Sequence, residues 1–371
     1  MNDYSRVNVP QLSVEQTIDR LASAFSGIIN RGLNIRSIPS VMLWGPPGVG
    51  KSQAIRQMAE RIGRETGKKT AVTDVRLLLF NPIDLRGIPT SNADKTLAIW
   101  LKPKIFQMDP GDSVVNILFL DEITAAPQSV QAAAYQITLD RVIGEHALPD
   151  NCIVVAAGNR VTDRSVAYKM PKALANRLLH IEVEGKFGSW EKWAVANGIN
   201  RMILGFLSFR PDYLFGFSSD NDDLAFPTPR TWEMASNILN YVDGDIESAF
   251  PLIAGTIGVS VAIEFKTWTS IYSKLPSMED IFNGKDPIVP QSADALYALT
   301  ASMVSHAREH MDEMQKISNS IQYARKMPPD FSAILLRDYM YLEKGYKEKL
   351  MRLPAFMNWY RDVGVMLNGI V

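Results

Sequence analysis

From about residue 40 to residue 186, short apolar runs alternate with segments whose apolar positions recur every three to four residues. That alternation is the pattern of a parallel sheet covered by helices. Apolar runs predict five strands, over 41–44, 70–76, 115–120, 152–157 and 178–183, and periodic segments predict helices over 53–62 and 129–139, the second opened by Pro127. Beyond residue 186 only helical spacing continues. A polar stretch with Asp220, Asp222 and Asp223 leads to Thr228-Pro229, an N-cap followed by proline at the first helical position, and then to Trp232, Ala235, Leu239 and Val242 on one helix face. Further helices are expected from Ser292 onward, where Leu296, Leu299, Met303, Met314, Ile317 and Ile321 keep the helical period and Pro328-Pro329 interrupts it. The expected fold class is α/β: a five-stranded parallel sheet flanked by helices, then an α-helical lid and a C-terminal helical region. The expected domains are a core over 1–217, a lid over 224–290 and a helical extension over 291–371.

Composition narrows the picture. A chain of 371 residues, 46% apolar and 21% charged, has the make-up of a folded globular protein and the length of two to three domains. Its net charge of −1 supplies no bulk field for nucleic acid or an anionic membrane, so a partner must be recognised locally. Cys152 is the single cysteine, which excludes an internal disulfide and a cysteine-based zinc site. The uncharged stretch 248–263 is 16 residues long and holds Pro251, Gly255 and Gly258, short of the roughly 20 apolar residues of a membrane helix. The start of the chain lacks a basic segment followed by an apolar one, and the expectation is a soluble, cytoplasmic protein with no membrane insertion.

Candidate chemistry begins at the first strand. Gly45-Pro46-Pro47-Gly48-Val49-Gly50-Lys51-Ser52 has two glycines in the phosphate-loop spacing followed by Lys and Ser, between an apolar run and a helix. Glycines there let successive N–H groups face a phosphate at a helix N-terminus; Lys51 would reach the β- and γ-phosphates and Ser52 would hold Mg²⁺. A second apolar run ends in Asp121-Glu122, at the strand end where open α/β sheets bind ligands. Asp121 would take a Mg²⁺-bound water and Glu122 would orient and polarise the attacking water. The next strand ends in Gly158-Asn159, whose amide can bond the γ-phosphate and that water without adding charge.

These residues resemble the AAA+ ATPases of the P-loop class, and within them the MoxR-like branch, over roughly residues 15–250. Asp84-Leu85-Arg86-Gly87-Ile88-Pro89, with Trp100, Pro103 and Phe106, resembles that branch's insertion in the second helix of the core, about 84–106, which faces the ring's central channel or the substrate. Residues 140–149 resemble the link into the sensor strand. Ala173-Leu174-Ala175-Asn176-Arg177-Leu178 resembles the motif ending in the arginine finger, with Asn176 where many relatives have Asp. Residues 160–177 carry Arg160, Arg164, Lys169, Lys172 and Arg177 against Asp163 alone, a net +4, and Arg160 or Arg164 is an alternative finger. Pro227-Thr228-Pro229-Arg230-Thr231-Trp232 resembles the sensor-2 motif, in which Arg230 contacts the γ-phosphate of its own subunit.

The resemblance implies ATP and ADP with Mg²⁺ as ligands and ATP hydrolysis in a ring, a hexamer. It also implies chaperone-like remodelling of a protein client, with a von Willebrand factor A domain protein as one candidate partner. Two other readings are a nucleotide-dependent binding switch with slow hydrolysis and a nucleic-acid motor. The motor has little support, because Lys95, Lys102 and Lys104 near the insertion are opposed by Asp84, Asp94 and Asp109.

The tail is less informative. Tyr339, Tyr341, Tyr346, Phe356, Trp359 and Tyr360 would form either a partner surface or, as the scattered methionines also suggest, core. His146, His180, His306 and His310 do not form a metal set; His306 and His310 are four apart on an expected helix, but sequence alone places no third ligand beside them.

Overall fold

In the computed structural model, which describes residues 9–160, 170–216, 223–242, 245–272, 274–343 and 345–363, one compact unit ends at Trp190 and a second begins at Glu191. The first unit contains, in chain order, β1 (Gln11–Ser13), α1 (Val14–Asn30), β2 (Val41–Trp44), α2 (Lys51–Thr66), β3 (Lys69–Arg76) and α3 (Pro82–Arg86). A hairpin of β4 (Ile88–Ser91) and β5 (Ala98–Leu101) follows, then β6 (Val114–Asp121), α4 (Gln128–Asp140), a short hairpin of β7 (Val142–Ile143) and β8 (His146–Ala147), β9 (Cys152–Gly158), α5 (Lys172–Ala175) and β10 (Leu179–Glu184).

Six parallel strands make the main sheet, in the order β1-β10-β2-β9-β6-β3. β9 is buried along its whole length and β6 along all but its last residue, as expected of central strands covered on both faces. The five predicted strands are all present; the sixth, β1, corrects the count. Gln11-Leu12-Ser13 has no apolar run to announce it and pairs by main-chain register, Gln11 opposite Glu182. Ser13 then caps α1: its Oγ accepts from Gln16 N at 3.1 Å while Gln16 Oε1 accepts from Ser13 N at 3.0 Å.

The stretch expected to be an insertion holds the antiparallel β4–β5 hairpin on a base fixed by buried Leu85 and Phe106. A Cβ at Gly87, φ +92°, would fall 2.0 Å from Leu101 O, so only glycine lets the hairpin close there. The β7–β8 hairpin abuts the same base: His146 Nε2 donates to Trp100 O at 2.7 Å, and a Cβ at Gly144 would meet Arg86 O at 2.5 Å.

The chain continues through α6 (Phe187–Ala196) into an all-helical unit: α7 (Arg201–Phe209), α8 (Pro229–Tyr241), α9 (Ile246–Ile257), α10 (Val259–Tyr272), α11 (Met278–Phe282), α12 (Ala293–Glu309), α13 (Met314–Ala324), α14 (Pro329–Met340), α15 (Tyr346–Leu350) and α16 (Pro354–Val363). Phe206, Trp232, Phe265 and Trp268 pack edge to face and tilted, tying α7, α8 and α10 together. Tyr339, Tyr346, Phe356 and Trp359 are buried in a core formed by α11 to α16, whereas Tyr341 and Tyr360 are exposed. The uncharged stretch 248–263 is two helices broken at Gly258, φ +88°. No helix among the described residues is long and apolar enough to cross a membrane. Asp220 and Asp222 lie outside the described residues.

Candidate functional site

Three neighbouring strands, β2, β9 and β6, end side by side, and their C-terminal ends carry the phosphate loop, Asn159 and Asp121-Glu122. The loop depends on glycine at its turning points. Gly45, Gly48 and Gly50 have φ of +154°, +79° and +107°, and a Cβ at Gly45 would lie 2.8 Å from Val183 O. Pro46, Pro47 and Val49 complete the loop, with Val49 buried against the Gly45 position. Gly50 caps α2 without a side chain, and the first turn carries no acid, so the first-turn N–H groups and the positive end of the helix dipole are left to an external anion.

Lys51 is drawn into this corner. Its Nζ, nearly buried, donates to Gly45 O at 2.5 Å, Pro46 O at 3.0 Å and Asn159 Oδ1 at 3.0 Å. Asn159 is clamped in turn by Thr124, whose Oγ1 donates to Asn159 O at 3.1 Å and accepts from Asn159 N at 3.0 Å. Gly158 permits that clamp, since a Cβ there would meet Thr124 Oγ1 and Cγ2 at 2.7 Å.

Ser52 Oγ donates to Asp121 Oδ2 at 3.0 Å, and Asp121 Oδ1 accepts from Glu122 N at 2.9 Å. A hydroxyl and a carboxylate at the phosphate end of the loop are hard oxygen donors, the set that Mg²⁺ takes directly or through a bound water. The residues fit the ion.

Glu122 is the most constrained member. It is one of three described non-glycine residues with positive φ, at +58°, and its Oε2 is buried with no hydrogen-bond partner among the described residues. Ile123 N bonded to Ala157 O at 2.9 Å and Ala126 N bonded to Glu122 O at 3.2 Å hold the turn. A carboxylate kept in a sparsely populated conformation with an unsatisfied buried oxygen is the arrangement expected where a water or substrate proton is to be received.

The structure separates the arginines. Arg160 forms an ion pair with the buried Glu182, which also accepts from Gln11 Nε2 at 3.2 Å, so its guanidinium is committed within its own chain. Arg177 follows α5 and is exposed. Arg164 and Lys169 lie outside the described residues. Arg230 is exposed at the second position of α8, in the second unit, where Thr228 caps the helix by accepting from Thr231 N at 3.1 Å.

One residue of this site was not singled out from sequence. Trp44, the last residue before the loop, donates from Nε1 to His180 Nδ1 at 2.9 Å; the ring proton is therefore on Nε2, which donates to Ala175 O at 2.7 Å. His180 thus links the start of the phosphate loop to the segment two residues before Arg177. A histidine beside the arginine motif was visible, but its partners depend on the pairing of β10 with β2.

Residues 40–180 match the model of the ATPase family associated with various cellular activities (AAA). That stretch is similar to the ATPase domain of that family. The chain is also similar to Chaperone MoxR1 of Mycobacterium tuberculosis, 25% identical over 169 residues, 44% of this chain and 38% of that protein. The match therefore spans well under half of that relative, and supports the MoxR-like resemblance. Among solved structures, a RuvB mutant of Thermotoga maritima is 16% identical, covering 80% of this chain and 86% of the other, with a TM-score of 0.37.

Proposed function

We infer that the chain is a Mg²⁺-dependent ATPase that hydrolyses ATP to ADP and phosphate as one subunit of a ring, a hexamer, and uses the change of nucleotide state to remodel a protein partner. The observation that carries the hydrolytic reading is the buried, unpartnered Glu122 Oε2, held in a left-handed turn beside the Lys51, Ser52, Asp121 and Asn159 group. A site built only to bind nucleotide has no need of that carboxylate, which weighs against the binding-switch reading.

Phosphoryl transfer to water needs positioning and charge neutralisation more than covalent chemistry. The loop N–H groups and Lys51 hold the β- and γ-phosphates, Lys51 exchanging its carbonyl contacts for phosphate oxygens. Ser52 and Asp121 hold Mg²⁺, which when bound neutralises charge on those phosphates. Glu122 accepts the proton of the attacking water, and Asn159, clamped by Thr124, fixes that water against the γ-phosphate. Arg230 senses the γ-phosphate in its own subunit, and Arg177 enters the site of the neighbouring subunit, which makes hydrolysis depend on assembly.

A protein partner is supported by the insertion. Leu79, Ile83, Ile88, Leu97 and Leu101 lie exposed on and beside the hairpin, and the base holds a groove of about 480 Å³ whose lining includes Phe80, Ile83 and Ile105 together with the charged Asp84, Lys102 and Lys104. Contiguous exposed apolar surface of this kind marks protein contact, here with an apolar segment of a client or with an adaptor such as a von Willebrand factor A domain protein.

Steady-state turnover with saturating Mg-ATP tests the reading. Glu122→Gln keeps volume and removes the base; it is expected to lower turnover about 10²- to 10⁴-fold while nucleotide affinity stays within about threefold. Wild-type turnover no higher than that of Glu122→Gln would reject hydrolysis as the activity, and retention of a client by ATP-loaded Glu122→Gln, released on nucleotide removal, would support remodelling.

A further inference from the structure

The helical unit carries a second cluster of chemistry that the ATPase reading does not use. His306, Glu309 and His310 stand at i, i+3 and i+4 near the C-terminal end of α12, on one helix face, and each offers a ligand atom within 4.8 Å of the others. We propose that these three side chains bind a divalent transition-metal ion of the zinc class, with Glu313 as the group that orients His310.

Four features support it. The stretch His306-Ala307-Arg308-Glu309-His310 has the His-x-x-Glu-His spacing that places two imidazoles and a carboxylate together on one helix. His310 Nδ1 bonds Glu313 Oε1 at 2.5 Å, which leaves Nε2 for the ion and supplies the carboxylate–histidine support typical of metal-bound imidazole. His306 is wedged between Phe282 and His310, with ring centroids 4.5 Å from each, so its direction is fixed by packing. His306 is also half-buried, so an ion held there is partly shielded from solvent.

The cluster is not purely anionic. Arg201 Nη2 bonds Glu309 Oε1 at 2.5 Å and Lys316 Nζ bonds Glu313 Oε2 at 2.8 Å, so each carboxylate keeps one oxygen engaged by a cation and Glu309 presents Oε2. Two nitrogens and one carboxylate oxygen suit a borderline cation rather than Mg²⁺ or Ca²⁺. The 4.8 Å spread exceeds the about 3.3 Å edge of a tetrahedron with bonds near 2.05 Å; rotation of the exposed Glu309 and of His310, the C-cap just past α12, closes the difference. Solvent would complete the shell, and the ion would pin the end of α12 to the turn before α13, where Glu313 is the N-cap.

The test is titration of nucleotide-free, full-length protein with Zn²⁺, with Co²⁺ absorption as an independent report of nitrogen ligation and thermal unfolding as a third readout. One equivalent bound with a micromolar or tighter Kd, raising the Tm, is expected. His310→Gln, on the helix end, is expected to weaken binding about 100-fold and Glu313→Gln about 10-fold, with His146→Gln unchanged. His306→Gln should match His310→Gln if it folds; because it also loses packing on Phe282, the judgement rests on His310→Gln, checked by circular dichroism. No binding by wild type at 100 µM Zn²⁺, or wild-type affinity in folded His310→Gln, overturns the proposal.

Discussion

At the scale of single residues, the candidate site concentrates local strain. A non-glycine residue in the left-handed region costs on the order of 1–3 kcal/mol and persists only when neighbours impose it. Glu122 is imposed upon by the bonds from Ile123 N to Ala157 O and from its own N to Asp121. Gly158 is the complementary case, a missing side chain that keeps Thr124 and Asn159 together. Gly158→Ala forces Thr124 aside, and the expected outcome is a loss of about 1–3 kcal/mol in urea unfolding together with a fall in turnover larger than the change in nucleotide affinity. Gly27, inside α1 with nothing within 4 Å of its added Cβ, is the control: Gly27→Ala should stabilise by roughly 0.5–1 kcal/mol and leave turnover alone. A stability loss at Gly158 without any kinetic effect would show that Asn159 does not act through its clamp.

At the scale of elements, the connection of interest runs across β2, β10 and α5 through His180. Its ring stacks on Trp44 with centroids 5.9 Å apart while bonding Trp44 and Ala175. His180→Phe keeps the stack and leaves an indole N–H and a carbonyl without their partner, an expected cost of about 1–3 kcal/mol. As a positioning residue for Arg177, His180 predicts more: kcat falls while KM for ATP changes by less than about threefold, and His180→Gln, which can accept and donate at the same two places, recovers part of kcat. Equal effects of Phe and Gln on stability alone, with kcat intact, would reduce His180 to packing.

The same elements show what was legible in the sequence. β2, β6 and β9 are four to eight residues long and mostly apolar, and β10 alternates apolar with polar residues, so periodicity finds them, whereas β1 is three residues specified by its neighbour's main chain. The phosphate loop, Asp121, Glu122 and Asn159 were readable because their chemistry follows directly from residue type at a strand end. That they meet depends on β9 lying between β2 and β6, a long-range pairing. The bond of His180 to Trp44, the commitment of Arg160 to Glu182 and the engagement of Glu309 by Arg201 all join residues more than 20 positions apart, and no local pattern encodes them.

At the scale of the whole molecule, the net charge of −1 conceals an exposed arginine after α5. Arg160 is neutralised inside its own chain, whereas Arg177 is exposed, so of these two arginines Arg177 is the one available to a second subunit. If it completes the neighbour's site, Arg177→Ala should lose on the order of 10³-fold or more in turnover and still bind nucleotide, while Lys51→Ala should lose nucleotide binding and still donate its arginine. Neither variant alone turns over ATP. An equal mixture is different, because a head-to-tail ring places some intact Lys51 sites against intact Arg177 neighbours; with random assembly that is about one interface in four, so turnover should recover to about a quarter of wild type. Recovery should rise with protein concentration and vanish under dilution that separates subunits. A mixture no more active than either variant would mean that Arg177 serves its own subunit or that the chain does not assemble head to tail.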